Sequence, residues 1–210
     1  MPRKRHINQR GGLIDTPGAY LLACTGRSFR QTGGFRLETE PMLRQLEYEA
    51  WDGRPCPNCT PSALANALAY YRRRWPQIPD DPRERYRLLR GHLRLVHSPL
   101  PGSGGYPAFL NAVLVRRLWR LLGIDAWPVT YPFPSARRLR QLIDSDGTPL
   151  VLSIWSKAYL GHTVLLLGWE MWSDGQAPRL FWVVHDGWSD APRFLDAEAV
   201  RIWQAVRMAR

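Results

Sequence analysis

"GHTVLLLGWEMWSDGQAPRLFWVVHDGW" occupies residues 161–188. Two apolar runs, "HTVLLLGWE" (162–170) and "RLFWVVHD" (179–186), flank the turn-rich "SDGQAP" (173–178). β-branched and aromatic residues fill both runs, and Gly and Pro punctuate the connection, so the stretch predicts two strands joined by a tight turn. "TPLVLSIW" (148–155) adds a third run of the same texture. In an antiparallel pair the start of one strand lies beside the end of the next. His162, which opens the first run, and Asp186, which closes the second, are therefore expected at one end of the sheet.

Upstream the periodicity changes. In "NCTPSALANALAYY" (58–71), Ala63, Leu64, Ala67, Leu68 and Tyr71 recur at three- and four-residue steps, which predicts a helix with one apolar stripe. Asn58 is a natural cap, Pro61 is tolerated in the first turn, and Arg72–Arg74 suit the C-terminal end. "EPMLRQLEYEAW" (40–51) suits a short helix. "DPRERYRLLRGHLRLV" (81–96) reads as a helix capped by Asp81, and "AFLNAVLVRRLWRLLG" (108–123) as one ending at Gly123, with the loop "HSPLPGSGGYP" (97–107) between them. "DAWPVTY" (125–131) suggests a short strand, "SARRLRQLIDS" (135–145) a helix capped by Ser135, and "DAEAVRIWQAVRM" (196–208) a closing helix. "AYLLACTG" (19–26) and "GFRLET" (34–39) suggest a hairpin, with Cys24 as a small core residue. Helices in the first half and antiparallel strands in the second define an α+β fold. No linker divides the chain, so the expected organisation is a basic arm over residues 1–17 and a single domain over 18–210.

Composition narrows the function classes. At 45% hydrophobic and 22% charged residues the chain is an ordinary globular one. The formal charge of +11 favours anionic partners and says nothing about fold. Three cysteines exclude a disulfide scaffold and leave at least one thiol unpaired. No apolar run approaches the roughly 20 residues of a membrane span. "LLAC" (21–24) has the look of a lipoprotein cleavage box, but Asp15 and Pro17 interrupt the apolar segment a signal peptide needs, so the expected compartment is the cytoplasm and export is the alternative.

Cys59 stands at the predicted start of a helix, where the dipole stabilises a thiolate, the reactive form of cysteine. A nucleophilic thiol needs a base, and the base needs an orienter. His162 and Asp186 supply both, in the order helix cysteine, strand histidine, carboxylate at the end of the next strand. Each has an ordinary structural use as well: core packing for the thiol, a strand-end contact for the imidazole, a turn for the aspartate before Gly187. A Cys56-x-x-Cys59 metal site lacks a second ligand pair, and a redox pair lacks its βαβ setting, so no metal or cofactor is expected.

The blocks "NCTPSALANALAYY", "GHTVLLLGWE" and "VVHDGWSDAPRFL" resemble the three signature blocks of papain-like cysteine peptidases. The bacterial group similar to the double-glycine leader peptidases of bacteriocin export is nearest. The resemblance runs from about Trp51 to Leu195 and implies a papain-like fold, a helical N-terminal half packed on an antiparallel sheet, and hydrolysis of an amide bond in a peptide or protein substrate. Cys59 is then the nucleophile, His162 the general base and Asp186 the orienter.

This sequence departs from the family at the oxyanion donor. Relatives usually carry glutamine a few residues before the cysteine; here Gly53 stands six residues before it, and no Gln or Asn lies between Gln45 and Asn58. Asn58 and the indole of Trp51 are the substitutes the sequence offers. Thr60 stands where relatives often have glycine. Two rival readings accompany the hydrolase: a catalytically silent papain-like binding module, which the missing glutamine favours, and an arginine-rich nucleic-acid-binding protein, for which the arginines along 83–94, 116–120 and 137–140 speak. Oligomeric state is left open.

Overall fold

The computed structural model describes residues 13–38, 40, 42–52, 59–93, 108–156 and 161–210. Their elements are α1 (Pro17–Thr25), β1 (Arg30–Arg36), α2 (Gln45–Asp52), α3 (Cys59–Tyr71), α4 (Pro82–Leu93), a 3-10 turn (Ala108–Leu110), α5 (Asn111–Leu121), β2 (Val129–Pro132), α6 (Ala136–Asp146), β3 (Leu150–Trp155), β4 (His162–Ser173), β5 (Pro178–His185), β6 (Arg193–Asp196) and β7 (Arg201–Arg207). The chain is α+β, with one antiparallel sheet in the order β2-β7-β3-β4-β5-β6.

β4 organises this sheet. β5 runs along one edge, pairing Leu165 with His185 through Ser173 with Pro178. The other edge is shared: β3 takes His162–Leu166, and β1 takes Gly168–Ser173. The hand-over falls at Gly168, where a Cβ would stand 2.1 Å from the carbonyl oxygen of Phe35 and 2.8 Å from the Cα of Arg36. Only glycine lets β1 approach so closely.

The apolar runs that announced strands are continuous because both faces of the sheet are covered. Val151, Leu165, Leu167, Val183 and Val206 point into one core with Leu64, Leu68, Tyr86, Leu114, Leu118 and Trp119 of α3, α4 and α5. Their neighbours Leu150, Leu152, Val164, Leu166, Trp182, Val184 and Ala205 point into a second core with Leu139, Leu142 and Ile143 of α6. The single apolar stripe expected of α3 is a correction: twelve of its thirteen residues are buried, because sheet and neighbouring helices surround it. Ser135 caps α6 as expected, its Oγ accepting from Arg138 N at 3.2 Å.

Three further expectations are overturned. "AYLLACTG" forms no strand and no hairpin; it lies in α1, started by Pro17 and stopped by Gly26 at φ 70°, and Cys24 is exposed. β1 pairs instead with β4, far along the chain. Residues 201–207 form strand β7 between β2 and β3, not a closing helix. Of the expected arm, residues 1–12 lie outside the described residues, and Ile14 is buried, exchanging main-chain hydrogen bonds with Phe194 on β6. No helix among the described residues is long and apolar enough to cross a membrane.

Candidate active site

α3 begins against the start of β4, and this junction brings Cys59 to His162. Both are buried, at 6% and 8% exposure, and their side chains are hydrogen-bonded. Burial alone would push the Cys59 thiol up. The His162 ring, with the main-chain N–H and hydroxyl of Thr163, outweighs it and brings the thiol down to about 7. Burial also works against a charged His162, but the hydrogen bond and charge of Cys59, the Asp186 carbonyl and the Asp186 carboxylate together raise it. The two shifts favour a thiolate beside an imidazolium.

Asp186 follows β5 and reaches the ring, through a group the sequence does not advertise. His162 Nε2 lies 2.6 Å from the main-chain carbonyl of Asp186. A carbonyl only accepts, so Nε2 carries a proton and Nδ1 is the basic nitrogen. The Asp186 Oδ1 accepts from Trp188 N at 2.9 Å and so closes a turn, while its charge supports the imidazolium from nearby. Gly187, at the centre of that turn, has φ 79°, which glycine adopts freely.

The exposed Trp188 ring lies over His162, with centroids 4.6 Å apart and planes inclined at 35°. Gln45, the first residue of α2, fixes the turn: its N–H donates to the Gly187 carbonyl at 2.7 Å and its Oε1 accepts from Trp188 Nε1 at 3.0 Å. A Cβ on Gly187 would stand 3.0 Å from Gln45 Cγ and 3.1 Å from Nε2. Gln45 is the residue that sequence reasoning passed over. It stands fourteen positions before Cys59, and a spacing read along the chain does not show that α2 folds back onto the 186–188 turn.

The other site expectations fall as follows. Asn58, Gly53 and Cys56 lie outside the described residues. The Trp51 ring packs edge-on against Tyr48 at 5.3 Å and near Tyr86 at 6.4 Å, with the Arg83 guanidinium 5.7 Å above it. Thr60 is fully buried, and its hydroxyl bonds that of Thr163 at 2.9 Å. His185 points into the α3 side of the sheet, where burial holds it below the usual histidine range despite the Asp186, Asp190 and Glu47 charges and the Ser189 carbonyl. No group of three or more His, Cys, Asp or Glu among the described residues is arranged to hold a metal ion. A concavity of about 430 Å³ lies between α4 and α5, lined by Leu88, Gly91 and Leu121, and involves none of the residues of this junction.

Set against known proteins, the chain matches no family model and no curated protein.

Proposed function

We propose that this chain is a cysteine peptidase-like hydrolase with a papain-like fold, cleaving amide bonds in a peptide or protein. The observation that carries the reading is the hydrogen-bonded Cys59–His162 pair, formed where a helix begins against a strand and held on its far side by Asp186.

In this mechanism the Cys59 thiolate attacks the amide carbonyl carbon, and the carbonyl electron pair moves onto oxygen. The tetrahedral intermediate collapses by breaking the C–N bond, and Nδ1 of the imidazolium gives its proton to the departing amine. The thioester is then attacked by water, whose proton returns to Nδ1, and the thiolate is released. Nε2 keeps its proton throughout, since the Asp186 carbonyl holds it. The oxyanion takes the Cys59 main-chain N–H as one donor. As the second, Gln45 is favoured over Trp51: it packs on the turn whose Asp186 carbonyl holds the His162 ring, whereas Trp51 is engaged with Tyr48 and Tyr86.

Iodoacetamide alkylation followed by mass spectrometry across pH 5–9 tests this. Cys59 is expected to react ahead of Cys24 and Cys56, with half-maximal rate near pH 7, against about 8.5 for an ordinary thiol. His162→Ala should move that midpoint upwards and abolish hydrolysis of peptide amides. Equal labelling of the three cysteines, or a midpoint indifferent to His162, refutes the proposal.

A further inference from the structure

On the face of the sheet that meets α3 and α5, the character of the side chains changes abruptly at the Cys59 end. One cross-strand row, Leu165–Val151–Val206, is apolar and fully buried. The next row along the same strands and on the same face is Thr163–Ser153–Gln204. Directly paired residues share a face, so these three side chains stand side by side across β4, β3 and β7. With neighbouring strands about 4.8 Å apart, the row extends roughly 10 Å away from the nucleophile. Its residues retain 6–8% exposure, as Cys59 and His162 do, where the row behind retains none.

Two helices start over this row. α3 begins at Cys59, and its Thr60 bonds Thr163. α5 begins at Asn111, whose Nδ2 donates to Ser153 Oγ at 3.1 Å. Asn111 is fully buried and Gln204 is 93% buried, yet Asn111 Oδ1 and Gln204 Oε1 have no hydrogen-bond partner among the described residues. Buried acceptors without donors are costly, and such groups in a folded protein ask for an explanation.

From these observations we infer that the Thr163–Ser153–Gln204 row with Asn111 is a substrate subsite beside Cys59 that accepts an uncharged side chain carrying hydrogen-bond donors, a carboxamide before all others. The inference rests on the hydrolase reading and adds the substrate class to it. The two open acceptors require a donor and repel a carboxylate. The two helix N-termini over the row bring partial positive charge and disfavour an ammonium. An alkyl side chain would leave the acceptors unpaired, the situation that gives hydrogen-bonding pockets their selectivity. A carboxamide NH2 supplies two donors, and its oxygen can accept from the Ser153 hydroxyl.

N-acetyl dipeptide nitriles, Ac-Xaa-Gly-nitrile with Xaa as Gln, Asn, Leu, Lys or Glu, test the subsite without turnover. The Cys59 sulfur adds to the nitrile carbon, the nitrogen takes the proton, and a reversible thioimidate forms. The Gln or Asn compound is expected to bind roughly tenfold tighter than the Leu compound, the worth of about one buried hydrogen bond. Gln204→Leu should erase that preference, weakening the Gln and Asn compounds and tightening the Leu compound. Gln204→Glu should raise affinity for the Lys compound above that for the Gln compound. A flat profile, a preference for Leu, or a preference that both variants leave intact overturns the subsite, and so does failure of every nitrile to bind while iodoacetamide still alkylates Cys59. A Cys59 that iodoacetamide does not reach in the folded protein removes the hydrolase reading and the subsite with it. The expected nitrile pattern in a protein that hydrolyses no peptide amide removes the hydrolase reading alone.

Discussion

His162 is held by a carbonyl, and this sets what each neighbour is worth. In a triad whose carboxylate fixes the imidazole, losing that carboxylate leaves the wrong tautomer and costs about 10⁴-fold in turnover. Here the main chain fixes the tautomer, and Asp186→Asn keeps both the carbonyl and an oxygen able to close the turn on Trp188 N. It removes only the charge that raises His162. The expected loss in kcat is therefore about tenfold, against a loss on the order of 10⁴-fold or more for His162→Ala, read from steady-state kinetics of the two variants. His185 behaves in the opposite sense. Its folded pKa lies below the unfolded value of about 6.5, so the unfolded chain binds more protons as pH falls past that point. Stability is expected to decline on acidification from pH 7 towards 5, by at most about 1.4 kcal/mol per pH unit from this residue. In urea titrations at several pH values, His185→Gln should flatten that decline; an unchanged slope would show that other groups dominate.

At the scale of elements, Gly168 is the most exacting position. Alanine there forces β1 away from β4, because its Cβ would lie inside the Phe35 carbonyl. The expected cost is about 3 kcal/mol, or roughly 6–12 °C in Tm, by analogy with other forced overpacking in a chain of this size. The site is at the far end of β4, so kcat measured well below the melting temperature should remain near that of the parent protein. Elements were legible where local signals and tertiary setting agreed. β3, β4 and β5 announced themselves through unbroken apolar runs, and α6 through its Ser135 cap. α1 was misread because Leu21–Leu22–Ala23–Cys24 is as apolar as a strand, although Pro17 and Gly26 mark the two ends of a helix. β7 was misread because Val200, Trp203 and Val206 recur at helical spacing, while pairing with both β2 and β3 buries Ala205 in one core and Val206 in the other. That misreading also concealed Gln204. The order Cys59, His162, Asp186 was readable from spacing; the Asp186 carbonyl was not, since a main-chain contact leaves no mark on residue identity, and neither was the return of Gln45 to Trp188.

For the whole molecule, the interior place of β7 makes the sheet a single unit. Among the described residues β2 joins the rest only through β7, and β3 depends on β7 for one of its two edges. Proline at Ala205, a fully buried residue paired with both Tyr131 and Leu152, removes a ladder donor where neither neighbour offers a replacement. Ala205→Pro is expected to abolish cooperative thermal unfolding and soluble yield together. By contrast Arg201→Pro, at the exposed first position of the strand, should leave a cooperative transition. Equal behaviour of the two variants would mean that β7 is peripheral to folding.

Synthesis runs from N- to C-terminus, and the placement of β7 has a consequence for the nascent chain. The thiol is made early and its imidazole a hundred positions later, yet the layer that braces them is closed only by a segment translated after both. Until residues 201–207 have been made, β3 has one unpaired edge and the row beside Cys59 lacks Gln204. A polypeptide halted before that point carries a bare apolar strand edge, the kind of surface that pairs with other chains.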